Sequence, residues 1–290
     1  RLETLDEPYT TAYTYTFYGI VAQATGKVEL AKDHLRKGLL LARPFTHPWL
    51  AEIALCFLGA AEHAEGCYDD AYAHFIEAIS LCEVMRDPYI TLLTGTLFSR
   101  TAQRQGCLTV TQDLLQESMR VARESNNLWA IGLGLEQMAA LAQASGNETE
   151  ARRLLEESVS MHREVGDLWS LARALEALSQ LELSQHDLVH AEQNAMEAIK
   201  AAVEGQFYAN GLEALATLAT IRAQQGQGIL ALEFALVVLS QSASPWDARV
   251  SAEKLCAELR SQLPADQIEA VQTRVKTMNL EFLAQNLMIA

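Results

Sequence analysis

The chain has 290 residues, half of them hydrophobic, with 22 basic against 37 acidic side chains and a formal net charge of −15. A surface this acidic repels phosphates at long range, which counts against nucleic acid and anionic membrane as partners of this segment. Glycine (15) and proline (6) are scarce, and Ala, Leu, Glu and Gln dominate, so the composition favours helix over strand.

Cys56, Cys67, Cys82, Cys107 and Cys256 form no Cys-x-x-Cys pair. Neither a disulfide framework nor a zinc ribbon is expected, and a reducing, cytoplasmic setting follows. The N-terminus shows no basic-then-apolar signal pattern. The most apolar run, GILALEFALVVL at 228–239, is too short to span a bilayer. The chain opens on Arg1 rather than Met and is read as a piece of a longer protein.

In chain order the predicted elements recur every 40 residues without a gap. The turn position holds Gly26, Gly66, Gly106, Gly146, His186 and Gly226. Five residues later stand Ala31, Ala71, Thr111, Ala151, Ala191 and Ala231. Seven before the turn stand Gly19, Gly59, Ser99, Ala139, Ser179 and Ala219; seventeen before it stand Tyr9, Trp49, Tyr89, Trp129 and Trp169, with Ala209 breaking the row. Such self-similarity marks a solenoid.

Each unit reads as two helices. The first runs from the aromatic to the turn residue, as at 168–184, and starts behind Glu7, Asp87, Asn127 or Asp167, which suit N-caps. Pro8, Pro48 and Pro88 suit a first helical position. The second helix, as at 148–164, carries Ala151, Leu154, Leu155 and Val159 on one face. Glycine at the turn tolerates positive φ, and the small rows let helix backbones approach. Residues 248–263 keep the register of a seventh first helix until Pro264 breaks it, and 266–277 and 279–289 read as two further helices. These divide the chain into six repeats over 1–246 and a degenerate seventh repeat with capping helices over 247–290. Because GILALEFALVVLSQ is apolar nearly all round, the C-terminal helices are expected to cover it.

The small–Gly–Ala rows on a helix–turn–helix unit resemble the tetratricopeptide repeat (TPR), whose usual unit is about 34 residues. The 40-residue form with its D-x-W start, as in GDLWSLARALEALSQLEL, is similar to the C-terminal repeat arm of bacterial signal-transduction NTPases with numerous domains (STAND), transcription regulators among them. The ending LPADQIEAVQTRVKTMNLEFLAQNLMIA is similar to the terminal segment of the same proteins. The resemblance implies an all-α, right-handed α-solenoid whose first helices line a concave groove. It also implies a non-catalytic sensor that recognises a protein or peptide, joined in its parent chain to N-terminal NTPase and effector domains. A free-standing scaffold that assembles a protein complex is the alternative.

Searching for chemistry returns little. No G-x-x-x-x-G-K-[ST] occurs, so no nucleotide cofactor is expected, and the QQGQG at 224–228 reads as a turn. HDLVH at 186–190 imitates a zinc helix, but Asp187 replaces the water-activating Glu and His186 falls in the turn slot. His63, Cys67, Asp69, Asp70 and His74 wrap one turn without a recognisable ligand spacing. No nucleophile motif appears, and neither catalysis, metal nor any other cofactor is expected.

The groove carries the functional expectation. One column contains Tyr13, Ile53, Leu93, Leu133, Arg173 and Glu213; a second contains Thr16, Cys56, Thr96, Glu136, Glu176 and Ala216. A third contains Ile20, Ala60, Arg100, Ala140, Gln180 and Thr220, with Gln23, His63, Gln103, Gln143 and Arg104 beyond it. Arg100, Gln103, Arg104, Glu136, Gln143, Arg173, Glu176 and Gln180 are therefore the candidate ligand-binding residues, by the logic of charged groups on a concave wall. Pairing of these arginines with Glu136 and Glu176, keeping the face solvated, is the competing reading. Trp49, Tyr89, Trp129 and Trp169 are either groove-edge anchors or plugs of the seams between units; their recurrence favours the second.

Overall fold

A computed structural model describes residues 8–287. All regular elements among them are helical. The helices come in hairpins: α1 (Pro8–Ala24) with α2 (Val28–Ala42), α3 (Trp49–Ala64) with α4 (Tyr68–Met85), and α5 (Pro88–Gln105) with α6 (Gln112–Glu124). Then come α7 (Leu128–Ala144) with α8 (Glu148–Val165), α9 (Leu168–Ser184) with α10 (Leu188–Gly205), and α11 (Tyr208–Gln224) with α12 (Gly228–Ser240). Helices α13 (Trp246–Gln262), α14 (Ala265–Val275) and α15 (Leu280–Leu287) follow.

Compactness divides the chain into one unit through Val165 and another from Gly166. Residues 246 and 247 both lie in the first turn of α13. Both units are built alike, as α-solenoids of helical repeats. In the first, each hairpin packs internally, α2 rests on α3, α4 on α5 and α6 on α7, and the first helices also meet in succession from α1 through α7. In the second, α10 rests on α11, and α9 meets α11. Contacts that reach only to the neighbouring hairpin are what define a repeat architecture.

The turns explain why the chain folds back at these points. Each turn residue takes positive φ, from 66° at Gly106 to 81° at Gly66 among the glycines, and His186 adopts the same conformation at 61°. In all six hairpins the next amide donates back across the turn at 2.8–2.9 Å, as from Lys27 to the Ala22 carbonyl and from Asp187 to the Glu182 carbonyl. These are Schellman closures, which satisfy carbonyls that the helix end would otherwise orphan. A second left-handed row, between hairpins, contains Arg86, Asn126, Gly166 and Gln206. The sequence hides it because only one of the four is glycine.

Helix starts match the sequence in the main. Asp87 accepts from the Tyr89 and Ile90 amides, Asn127 from Ala130, and Asp167 from Trp169 and Ser170. Pro8 and Pro88 are first helical residues, whereas Pro48 is itself the N-cap of α3. Glu7, expected to cap α1, lies outside the described residues. The third hairpin departs from the pattern. Leu108–Thr111 form a 3₁₀ turn, so α6 starts four residues later than its counterparts.

Small residues permit close approach where large partners intrude. A Cβ on Gly59 would lie 2.9 Å from Cε2 of Phe75, and one on Gly19 would lie 2.6 Å from Cγ of Leu35. In the second unit, α13 packs on α11 and α12, and α14 on α12. Together they cover the apolar residues of α12, including Leu232, Phe234, Val237 and Val238, which are buried. The Arg274 guanidinium of α14 reaches Glu233 of α12 at 2.6 Å. Unlike the expected lid, α15 lies against α10 and α11, where Leu280 occupies the space left by Gly211.

Candidate functional site

Helix α5 brings Arg100, Gln103 and Arg104 onto one face by i, i+3, i+4 spacing, and all three are exposed. The Arg104 guanidinium sits 4.4 Å from the ring centroid of Tyr68, which opens α4. That stacking fixes one charge of the strip in place. Gln143, half-buried near the end of α7, belongs to the same unit. In the second unit, Arg173 is half-buried with its guanidinium 4.7 Å from the Trp169 ring, and Gln180 is exposed one turn beyond Glu176.

Glu136 and Glu176 do not stand on an open wall. They are 8% and 6% exposed, and their column, with Thr16, Cys56, Thr96 and Ala216, is buried throughout. The column runs where successive first helices abut, which is why its other members are small or β-branched. Glu136 Oε1 lies 3.2 Å from Nε2 of the fully buried His162 on α8. Glu176 Oε1 accepts from Thr217 Oγ1 of α11 at 2.7 Å and from Gln180 Nε2 at 2.8 Å. Both carboxylates thus tie helices together, since a buried charge persists only when hydrogen-bonded. In the first column Ile53, Leu93 and Leu133 are buried, Arg173 and Glu213 are half-buried and Tyr13 is exposed. In the third column and beyond it, Arg100, Gln103, Arg104 and Gln180 are exposed, whereas Ile20, Ala60, Ala140, Thr220, Gln23 and Gln143 are half-buried and His63 is buried.

Sequence reasoning missed Gln137. It is buried, and its Nε2 donates to the Leu92 carbonyl at 2.8 Å and to Thr96 Oγ1 at 3.2 Å. Thr96 Oγ1 in turn donates to the Leu133 carbonyl at 2.9 Å, stitching α5 to α7. The available signal was a Gln in a column otherwise filled by Phe17, Phe57, Leu97, Ala177 and Thr217.

In the aromatic row Trp49, Tyr89, Trp129 and Trp169 are half-buried and Tyr9 is exposed. Trp49 packs against the core cluster of the first two hairpins and stacks on Tyr13 with ring centroids 6.5 Å apart. The Tyr89 hydroxyl donates to Ser125 Oγ at 3.2 Å. Trp129 is placed at the same level of α7, and Trp169 supports Arg173 as described above.

The histidine clusters resolve into local pairs. His186 occupies the turn, and His190 Nδ1 lies 2.9 Å from Asp187. His63 Nδ1 meets Thr101 Oγ1 at 2.9 Å, and His74 Nδ1 meets Glu62 Oε2 at 2.7 Å, which raises the His74 pKa above its ordinary value. Among the described residues, no group of three or more His, Cys, Asp or Glu is placed to hold a metal ion. No helix among them is long and apolar enough to cross a membrane.

No protein-family model matches this chain, and no curated protein matches its sequence. Solved structures do resemble it. BtubC from P. vanneervenii aligns over 82% of this chain and 94% of its own, at 15% identity and a TM-score of 0.48. The TPR2AB domain of yeast Sti1, solved in a pHSP90 complex, aligns over 92% and 99% respectively, at 16% identity and a TM-score of 0.31. A STAND protein with a tetratricopeptide repeat sensor, from Pyrococcus horikoshii, aligns over 96% of this chain at 12% identity and a TM-score of 0.50. This chain spans 43% of that protein's length. The likeness is one of fold, and the all-helical hairpin architecture described here fits a TPR domain.

Proposed function

We propose that this chain is a non-catalytic recognition arm that binds a protein or peptide along its first helices, as the sensor part of a larger STAND-type signalling NTPase. The observation that carries the binding role is the exposed Arg100–Gln103–Arg104 strip on α5, with Arg104 held against Tyr68. Pre-positioned guanidinium and amide groups on a rigid helix suit recognition of carboxylates and peptide carbonyls. Gln143 extends that surface within the first unit, and Arg173 with Gln180 offers a similar one in the second. Glu136 and Glu176 act beneath the surface, holding its helices in register. The fold likeness to a STAND protein with a TPR sensor supports the parent assignment, as does the share of that protein's length which this chain spans.

The parent assignment is tested by the coding DNA upstream of Arg1: an in-frame P-loop supports it, and a nearby start codon makes the free-standing scaffold the better reading. The binding assignment is tested by Arg100→Glu with Arg104→Glu in cross-linking capture, with Arg153→Glu as the control. Loss of the captured partner at unchanged helicity is expected. Capture equal to that of the parent chain moves the site away from α5.

A further inference from the structure

The seam between α6 and α7 departs from its counterparts. In the second, third, fifth and sixth repeats, the positions of Met138 and Leu141 are held by Leu58 and Ala61, Phe98 and Thr101, Leu178 and Leu181, and Leu218 and Ile221, all of them buried, while the first repeat has the exposed Tyr18 and Val21 there. Met138 and Leu141 are only half-buried. The cause lies across the seam. Leu108–Thr111 form a 3₁₀ turn where other second helices already run, so α6 starts late and its first α-helical turn is missing.

A cavity of about 530 Å³ opens there, with Leu115, Met119, Met138 and Leu141 forming an apolar floor. Sites for small ligands span about 300–1,000 Å³ and combine an apolar lining with few polar groups. Two thioethers in that floor adapt to irregular apolar shapes better than branched side chains do. At the mouth, Arg120 is committed to Glu117 and Glu124, at 2.6 Å each. Arg123 also lines the mouth, is exposed, and makes no ion pair among the described residues. In a chain of net charge −15, an uncommitted guanidinium over an apolar cavity sets both the sign and the shape of an occupant.

We infer that the α6/α7 cavity binds a small amphipathic carboxylate, its apolar body on Met119, Met138 and Leu141 and its head on Arg123. A guanidinium–carboxylate pair is charge-assisted and can be bidentate, so it favours this class over neutral or cationic amphiphiles. This site uses a different helix pair from the α5 strip and stands whether or not that strip binds a peptide.

The test uses decanoate as the probe and carbon-13 methyl NMR of the methionines in the whole chain. Saturable shifts at Met119 and Met138, with the other methionine methyls still, are expected. Arg123→Gln should weaken decanoate binding by roughly tenfold or more, and decanol should bind the parent chain correspondingly less tightly than decanoate. Met138→Trp, which fills the cavity, should remove binding without lowering the melting temperature. The assignment is overturned by the absence of saturable binding, by shifts spread over all methionines, or by equal affinity of Arg123→Gln. Decanol binding as tightly as decanoate would overturn it as well.

Discussion

At the scale of single residues, the repeat lets side chains trade volume between helices. Gly132 on α7 faces His162 on α8, and a Cβ at Gly132 would lie 2.5 Å from the imidazole Cε1. Two and three repeats earlier, or one later, the same pair of positions holds Glu52 with Cys82, Ala12 with Ala42, and Ala172 with Ala202. Gly132→Ala should therefore destabilise the protein by about 1–3 kcal/mol through overpacking. Adding His162→Ala should recover much of the loss, giving a coupling that urea unfolding of the double-mutant cycle measures; additive effects would show that the contact does not matter. The Glu52–Cys82 pair makes a second residue-scale prediction. The Cys82 thiol donates to Glu52 Oε1 at 2.8 Å, while Glu52 Oε2 is buried with no hydrogen-bond partner among the described residues. Burial pushes the Glu52 carboxyl up to about 7 from 4.5, with Asp87 adding to the rise against the Cys82 bond. The unfolded chain thus ionises first, and stability falls as pH rises from 4.5 towards 7, levelling above. Glu52→Gln removes this penalty, so its advantage over the parent chain should be near zero at pH 4 and grow to about 3 kcal/mol at pH 8. A constant difference across that range would count against an ionising Glu52.

At the scale of elements, turns and caps account for where helices begin and end. His186 holds a left-handed conformation that its counterparts assign to glycine, yet it closes the same Schellman bond from Asp187 to Glu182. His186→Gly should stabilise by about 1 kcal/mol, since a Cβ is costly there and the closure is kept. A loss of stability on urea titration would mean that the imidazole contributes more than its backbone costs. The turn row, the small rows and the Asp/Asn caps were legible in the sequence because each rests on local backbone chemistry. The late start of α6 was foreshadowed only by Thr111 interrupting the alanine row. The second left-handed row was not legible, because Arg86 and Gln206 carry no signal of positive φ and Asn126 only a weak one.

At the scale of the molecule, the second unit ends by covering its own last repeat. Helix α12 is apolar on most sides, and α13 and α14 bury the flank that no further hairpin covers. A chain stopped after Ser244 should expose that flank and self-associate, visible as larger species in sedimentation velocity. A monodisperse, fully helical truncation would show that α12 needs no lid. The ion pair between Arg274 and Glu233 adds a specific seat for α14, because burial raises the Glu233 pKa and Arg274 opposes that rise.

The sequence by itself determined the 40-residue hairpin period, the all-helical class, the turn residues and the apolar last repeat that calls for covering. Each of these follows from periodicity, propensity or φ preference, which act within a few residues along the chain. Only the tertiary structure decided which columns face solvent. It turned Glu136 and Glu176 inward against His162, Thr217 and Gln180, left Arg100, Gln103 and Arg104 outside, and opened the cavity beneath Met138. Those outcomes depend on how closely one helix approaches the next. That distance is set by side chains thirty or forty residues apart in sequence, whose pairing no local pattern records.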